Sequence, residues 1–344
     1  MGGVIHVQKL AEPVMDQRTS GAMIEAQSQN TSGALLDVRL RRISWEAEGV
    51  MAFEFAAADG GDLPPFEPGA HIDLHLGDGL LRQYSLCGDP AKRKSYRIGV
   101  REIDGGRVSR LIHRNLRPGA LLQMSQPRNN FEFVASSNYL FIAGGIGITP
   151  LLPMMQTASG AGAAWTLLFC ARSIEQAPFL EEAKAHGGDV SVHASQAGTR
   201  LDVMHYLAEV KPDTIIYCCG PESLMTSVEA ASAHWPEGTV KFEWFAPRAR
   251  PEDEVSGGFR VVCARSGLSL DVMPDQSILQ VLTDAGIEVA RSCEQGICGT
   301  CEVRVLEGEV DHRDSILSAA ERASNEIMMT CVSRAKGASL VLDI

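Results

Sequence analysis

Four cysteines near the end of the chain have the spacing of an iron site. They read Cys293-x4-Cys298-x2-Cys301, with Cys331 following after 29 intervening residues. A [2Fe-2S] cluster needs four thiolates, two per iron, and this is the plant-type spacing. Gly296 and Gly299 let the intervening backbone wrap closely, so that amide N–H groups can point at the sulfurs. Two alternatives stay open on spacing alone: a structural zinc site, which usually takes paired C-x2-C units, or four unrelated buried cysteines.

Two further segments suit a nucleotide. Gly144–Gly145–Ile146–Gly147–Ile148–Thr149–Pro150 ends a strand and opens a helix, where a pyrophosphate could approach backbone amides and the positive helix end. Cys218–Cys219–Gly220–Pro221 ends a later strand of the same pattern. Either alone is also read as a tight strand–helix turn, and neither is the GxGxxG fingerprint. In Arg82–Gln83–Tyr84–Ser85 the arginine offers a fork to phosphate, the tyrosine a stacking face and the serine a hydrogen bond. An exposed strand edge would read the same. The aromatic run Phe242–Glu243–Trp244–Phe245 reads by itself as core.

These residues need elements to hold them. Residues 31–135 show short alternating strands (Leu36–Arg41, Met51–Ala56, His71–Leu76, Leu81–Leu86, Tyr96–Arg101) separated by Gly and Pro turns, which predicts an antiparallel β-barrel or sandwich. Residues 138–246 alternate strands (Tyr139–Ala143, Trp165–Cys170, Val190–Ala194, Thr214–Cys218, Val240–Trp244) with helices (Pro150–Met155, Phe179–His186, Asp202–Glu209, Pro221–His234). That alternation predicts an α/β doubly wound parallel sheet. Residues 247–257 are polar with two prolines and read as a linker. Residues 258–344 open with a hairpin pattern, then a helix marked by Ile278, Leu279, Leu282 and Ala285 and ended by Gly286.

Bulk properties narrow the function. Net charge is −12, which argues against nucleic acid as a partner. Five cysteines (Cys87, Cys170, Cys218, Cys219, Cys263) sit alone in apolar contexts, the pattern of a reducing, cytoplasmic compartment. Residues 1–30 show no basic-then-apolar leader and read as a flexible N-terminal extension. Phe133–Ala171 carries no charge until its end, but glycines and prolines interrupt it, so a strand, turn and helix suit it better than a membrane span.

In order, the motifs resemble the phthalate dioxygenase reductase family from about residue 33 to 344. The resemblance includes Pro127–Arg128–Asn129–Asn130–Phe131 and the ending Cys331–Val332–Ser333–Arg334–Ala335–Lys336. It implies a multidomain protein: a flavin barrel, a nucleotide domain and a β-grasp ferredoxin domain ligating its cluster through Cys293, Cys298, Cys301 and Cys331. It implies FMN held by Arg82, Gln83, Tyr84 and Ser85, with Gly99, Val100 and Arg101 along the ring. Arg107, Val108 and Ser109 would meet the phosphate, and Thr149 and Phe245 would close the nicotinamide side. Gly144, Gly145, Gly147, Ile148, Arg172, Ser173, Cys219, Gly220 and Pro221 would hold NADH. Family members often carry a small residue where this chain has Gln83, and a glycine at Val108. No side chain is expected to act as acid or base, although Ser85, Thr149, Cys219 and Phe245 would lie near the hydride path. The implied activity is NADH oxidation with electrons delivered to a Rieske-type terminal oxygenase, such as an aromatic-acid dioxygenase. A demethylase or non-aromatic monooxygenase is an alternative acceptor, and a redox-sensing iron–sulfur protein is a different class of reading.

Overall fold

The computed structural model of the chain describes residues 35–77, 80–248 and 257–344, and contacts group these described residues into one unit. The expected extension 1–30 lies outside the described residues, as does 249–256 of the expected linker.

Strands β1 (Leu36–Ala47), β2 (Val50–Ala57), β3 (His71–His75), β4 (Leu81–Ser85), β5 (Tyr96–Arg101) and β6 (Leu121–Met124) form one antiparallel sheet in the order β4-β3-β6-β1-β2-β5. Alternation drives it: Tyr96, Ile98 and Val100 of β5 are buried with Phe53, Phe55 and Leu40. The two outermost strands approach one another at a Leu86–Ile98 bridge. Between β5 and β6 lies helix α1 (Arg107–Asn115), which the strand-and-turn pattern of this stretch does not announce. Its Val108 and Ile112, one turn apart, bury against the sheet, while Arg107, Arg110 and Arg114 stay exposed.

A second sheet is wholly parallel, with β7 (Asn138–Gly144), β8 (Ala164–Ala171), β9 (Asp189–Ala194), β10 (Thr214–Cys219) and β11 (Val240–Glu243) ordered β11-β10-β7-β8-β9. Helices α2 (Leu151–Gly160), α3 (Leu180–Ala185), α4 (Val203–Leu207) and α5 (Glu222–Ala231) alternate with the strands. The order reverses at β7, whose C-terminal end therefore faces β8 on one side and β10 on the other. Such a switch point opens a crevice at the strand ends. Helix α2 runs past Met155 to Gly160 because Ala158 is buried, although the sequence around it is polar.

The third region contains β12 (Phe259–Cys263), β13 (Ser269–Val272), α6 (Ile278–Asp284), β14 (Glu302–Glu307), β15 (Val310–Asp311), α7 (Ala319–Ser324), β16 (Ile327–Met329), β17 (Arg334–Ala335) and β18 (Ser339–Leu342). Five strands form a mixed sheet ordered β13-β12-β18-β14-β16, in which β12 and β18 run parallel. Ser277 caps α6 by accepting from the Gln280 N–H, and Gly286 ends the helix at φ +75°. Ile278 and Leu282 bury under the sheet, while Leu279 faces Cys301 and Cys331. One helix thus packs the sheet and backs the cysteine loop. No helix among the described residues is long and apolar enough to cross a membrane.

Candidate active site

All twelve residues expected around the flavin line one cavity of about 370 Å³. Strand β4 supplies Arg82, Gln83, Tyr84 and Ser85, and the end of β5 supplies Gly99, Val100 and Arg101. The first turn of α1 adds Arg107, Val108 and Ser109. Thr149 and Phe245 enter from the parallel-sheet side. Gly99 permits this convergence: a Cβ there would lie 2.8 Å from Thr149 Cγ2 and 3.0 Å from the Phe179 ring. Helix α1 begins at Gly106 with no side-chain cap and no acidic residue in its first turn. Its free N–H groups, with Arg82, Arg101 and Arg107 around the cavity, suit a phosphate.

The cavity also contains residues that sequence reasoning left aside. Glu243, the last residue of β11, accepts a hydrogen bond from Ser85 Oγ at 3.2 Å. Burial pushes its carboxyl up to about 8, against the pull of Ser85, so the group is mainly protonated at neutral pH. A carboxylate inside an aromatic run at the C-terminal end of a parallel strand was the available signal. Trp244 follows it. Cys293, Gln295 and Ile297 complete the opposite wall, so the cysteine loop borders the cavity directly.

A second, smaller cavity of about 200 Å³ adjoins the first, sharing Arg101, Ile146, Trp244 and Phe245. Gly144, Gly147, Gly220 and Pro221 line it. Here β7 and β10 end almost in contact: a Cβ on Gly147 would lie 2.3 Å from the Cys219 carbonyl oxygen. Five other expected nucleotide residues lie elsewhere or contribute only backbone. Gly145 starts the 3-10 turn Gly145–Ile148, Ile148 and Cys219 are fully buried, and exposed Arg172 with Ser173 sits beyond β8, outside both cavities.

The four cysteines come together as two contacting pairs, Cys293 with Cys298 and Cys301 with Cys331. Within each pair one thiol donates to the other: Cys298 is pulled down by its bond from Cys293, and Cys301 by its bond from Cys331. Two thiol pairs side by side are what a dinuclear cluster uses. The loop reaches this arrangement through left-handed backbone at Glu294, Gly296 and Gly299, and the Gln295 N–H points at Cys293 Sγ at 3.3 Å.

The family described as "2Fe-2S iron-sulfur cluster binding domain" matches residues 261–336. Over 325 residues the chain is 42% identical to the tert-butanol monooxygenase / tert-amyl alcohol desaturase reductase subunit of Aquincola tertiaricarbonis, spanning 90% of this chain and 96% of that one. Phthalate dioxygenase reductase, described as a modular structure for electron transfer from pyridine nucleotides to [2Fe-2S], is 35% identical. It superposes with a TM-score of 0.65 over 90% of this chain and 98% of its own. This chain belongs to the phthalate dioxygenase reductase family. Like its relatives it is an oxidoreductase, with a multidomain fold for a flavin, NAD(H) and a [2Fe-2S] cluster. The family's architecture also occurs inside larger proteins. An intact type IV self-sufficient cytochrome P450 monooxygenase superposes over 95% of this chain with a TM-score of 0.84 at 38% identity, and the chain spans 43% of it.

Proposed function

We propose that this chain is the reductase of a Rieske-type oxygenase system, passing electrons from NADH through FMN and a [2Fe-2S] cluster to the terminal oxygenase. One observation carries the reading: a single cavity is walled by the β4, β5 and α1 residues, by Phe245 from the nucleotide side and by Cys293 from the cysteine loop. When bound, a flavin takes two electrons as hydride and an iron–sulfur cluster relays them singly. The chain orients these groups: Tyr84 and Val100 flank the ring space, Phe245 stands between the two cavities, and Ser85 with neutral Glu243 forms a hydrogen-bonded polar edge. FMN is favoured by the helix N-terminus and the arginines at one end of the cavity, which suit a terminal phosphate. NADH is favoured over NADPH by Glu175 beyond β8, which would repel a 2′-phosphate, while Arg172 and Arg200 pull the other way.

The corresponding division is a barrel at 31–135, a nucleotide domain at 138–246, a linker at 247–257 and a β-grasp ferredoxin domain at 258–344. Nine cysteines, none of them in a disulfide, suit work in the cytoplasm. An aromatic-acid dioxygenase is one class of partner; the non-aromatic alcohol named for the Aquincola relative supports a monooxygenase as the second. Release and chromatography of the flavin tests the first step, with FMN expected and FAD overturning it. NADH-driven turnover by candidate oxygenases, with and without this chain, tests the rest.

A further inference from the structure

The Pro127–Phe131 segment that helped mark the family has no part in either cavity, yet it is held with unusual firmness. Arg128 exchanges two backbone hydrogen bonds with His71, at 2.8 and 3.0 Å, and its guanidinium pairs with buried Asp73 at 2.6 Å. Asn129 Nδ2 donates to the Pro68 carbonyl at 3.0 Å, and Asn129 Oδ1 accepts from the Phe131 N–H at 3.0 Å. Phe131 is buried edge-on against Tyr217. Both neighbours of Asn130 are therefore pinned to the first two sheets. Asn130 itself is exposed and reaches outward, its Nδ2 donating to the Cys298 carbonyl at 2.6 Å.

The receiving side is shaped to match. Gly299 has φ +71°, and a Cβ there would lie 2.9 Å from that same nitrogen, so a side chain would displace the amide. Just before Cys298, Ile297 packs on the core of the parallel sheet. The Gly296 carbonyl accepts from the Ser315 N–H at 2.8 Å, and Ser315 Oγ accepts from the Arg248 N–H at 3.3 Å. Of these contacts, the Asn130 bond is a side-chain bond made directly to a cysteine of the loop from the first half of the chain.

We propose that Asn130 is a positioning residue for electron passage, an amide strut that fixes the Cys293–Cys301 loop against the cavity wall. The inference rests on the electron-transfer reading above. Electron passage depends on the separation of donor and acceptor, so a loop that drifts from the wall delivers electrons more slowly even with every ligand in place. Water competes for an exposed amide, so the strut sets the loop's register without sealing the interface.

The test uses the full chain loaded with flavin and cluster, comparing wild type with Asn130→Ala and Asn130→Asp. The first removes the donor, and the second sets an acceptor against the Cys298 carbonyl. Stopped-flow mixing with NADH reads flavin bleaching and cluster bleaching separately, while hydrogen exchange reads the loop. Cluster reduction should slow about three- to tenfold, the range one lost hydrogen bond allows, and more in Asn130→Asp. Flavin bleaching and cluster absorbance should match wild type, and exchange across 293–301 should quicken while 68–73 stays protected. Unchanged cluster reduction in both variants overturns the proposal. Equal slowing of both steps, or lost cluster absorbance, overturns it in favour of a role in folding or assembly. A wild type whose flavin NADH does not bleach would sink the electron-transfer reading first, and the strut with it.

Discussion

The two walls of the larger cavity are built in opposite ways. One wall is assembled from β4, β5 and α1, neighbouring stretches of chain locked by antiparallel register and one helix turn. The other collects Thr149, Glu243–Phe245 and Cys293–Ile297 from three distant stretches, and no strand ladder joins the last of these to the rest. The first wall is stiffened by the backbone and the second by individual side chains. Changes on the second wall should therefore act selectively, whereas changes at the sheet junctions should act on several properties at once.

The largest effect expected is on the cysteine pairs. Cys331→Ala leaves Cys301 without its partner and should abolish the cluster's visible absorbance. NADH bleaching of the flavin should stay within about twofold of wild type, since Cys331 lines neither cavity. Lost flavin bleaching would mean that the two walls do not fold independently.

Next comes the junction of β7 and β10. Gly147→Ala drives a methyl into the Cys219 carbonyl and must part the turn after β7 from the end of β10. A stability loss of about 1–3 kcal/mol is expected from such overpacking, with a KM for NADH raised about tenfold or more if the smaller cavity is the nucleotide's. Denaturant unfolding and steady-state kinetics measure both, and a loss of stability with unchanged KM would detach that cavity from the nucleotide.

Glu243 gives a pH-dependent test. Its folded pKa stands near 8 against an ordinary 4.5, so between those values the native state holds a proton that the unfolded chain has released. Its contribution to stability is therefore fully present below about pH 4.5 and is lost as pH rises towards 8. Glu243→Gln, fixed in the neutral form, should gain melting temperature relative to wild type as pH rises from 5 to 8. Flavin reduction in wild type should fall above about pH 8, where a negative charge forms beside the cavity, and the variant should stay flat. Parallel pH profiles would remove Glu243 from the chemistry.

The smallest effect concerns the oxygenase. Residues 258–344 carry 13 acidic and 8 basic side chains, and Glu294, Glu302, Glu307, Glu309 and Asp311 lie on or after the cysteine loop. If they steer docking onto a basic patch, delivery to the partner should weaken severalfold between low and high salt, while flavin reduction stays level. A partner rate indifferent to salt leaves them as solvated surface.

What could be read from the sequence follows the same division. The cysteine spacing, the β4 tetrapeptide and the glycine turn are contiguous, so each was visible as a motif, and most strands were placed within a few residues. Helix α1 was missed because Gly105–Gly106 reads as a turn and the Val108–Ile112 stripe is only two residues wide. Glu243 and the bordering role of Cys293 were missed for a deeper reason. Their function comes from long-range packing, which local periodicity does not encode. The Asn130 contact, spanning 168 residues, belongs to the same class.

Arg248 follows the parallel sheet with its guanidinium stacked on Trp244 at 4.4 Å and doubly bonded to Glu229, and Gly257 leads into β12. Eight residues separate these points. A tether that short holds the two ends at an effective concentration on the order of millimolar. Should the cysteine loop let go of its wall, a free ferredoxin present at micromolar levels would face a local competitor roughly a thousandfold more abundant. Covalent linkage thus protects the internal electron route from outside carriers.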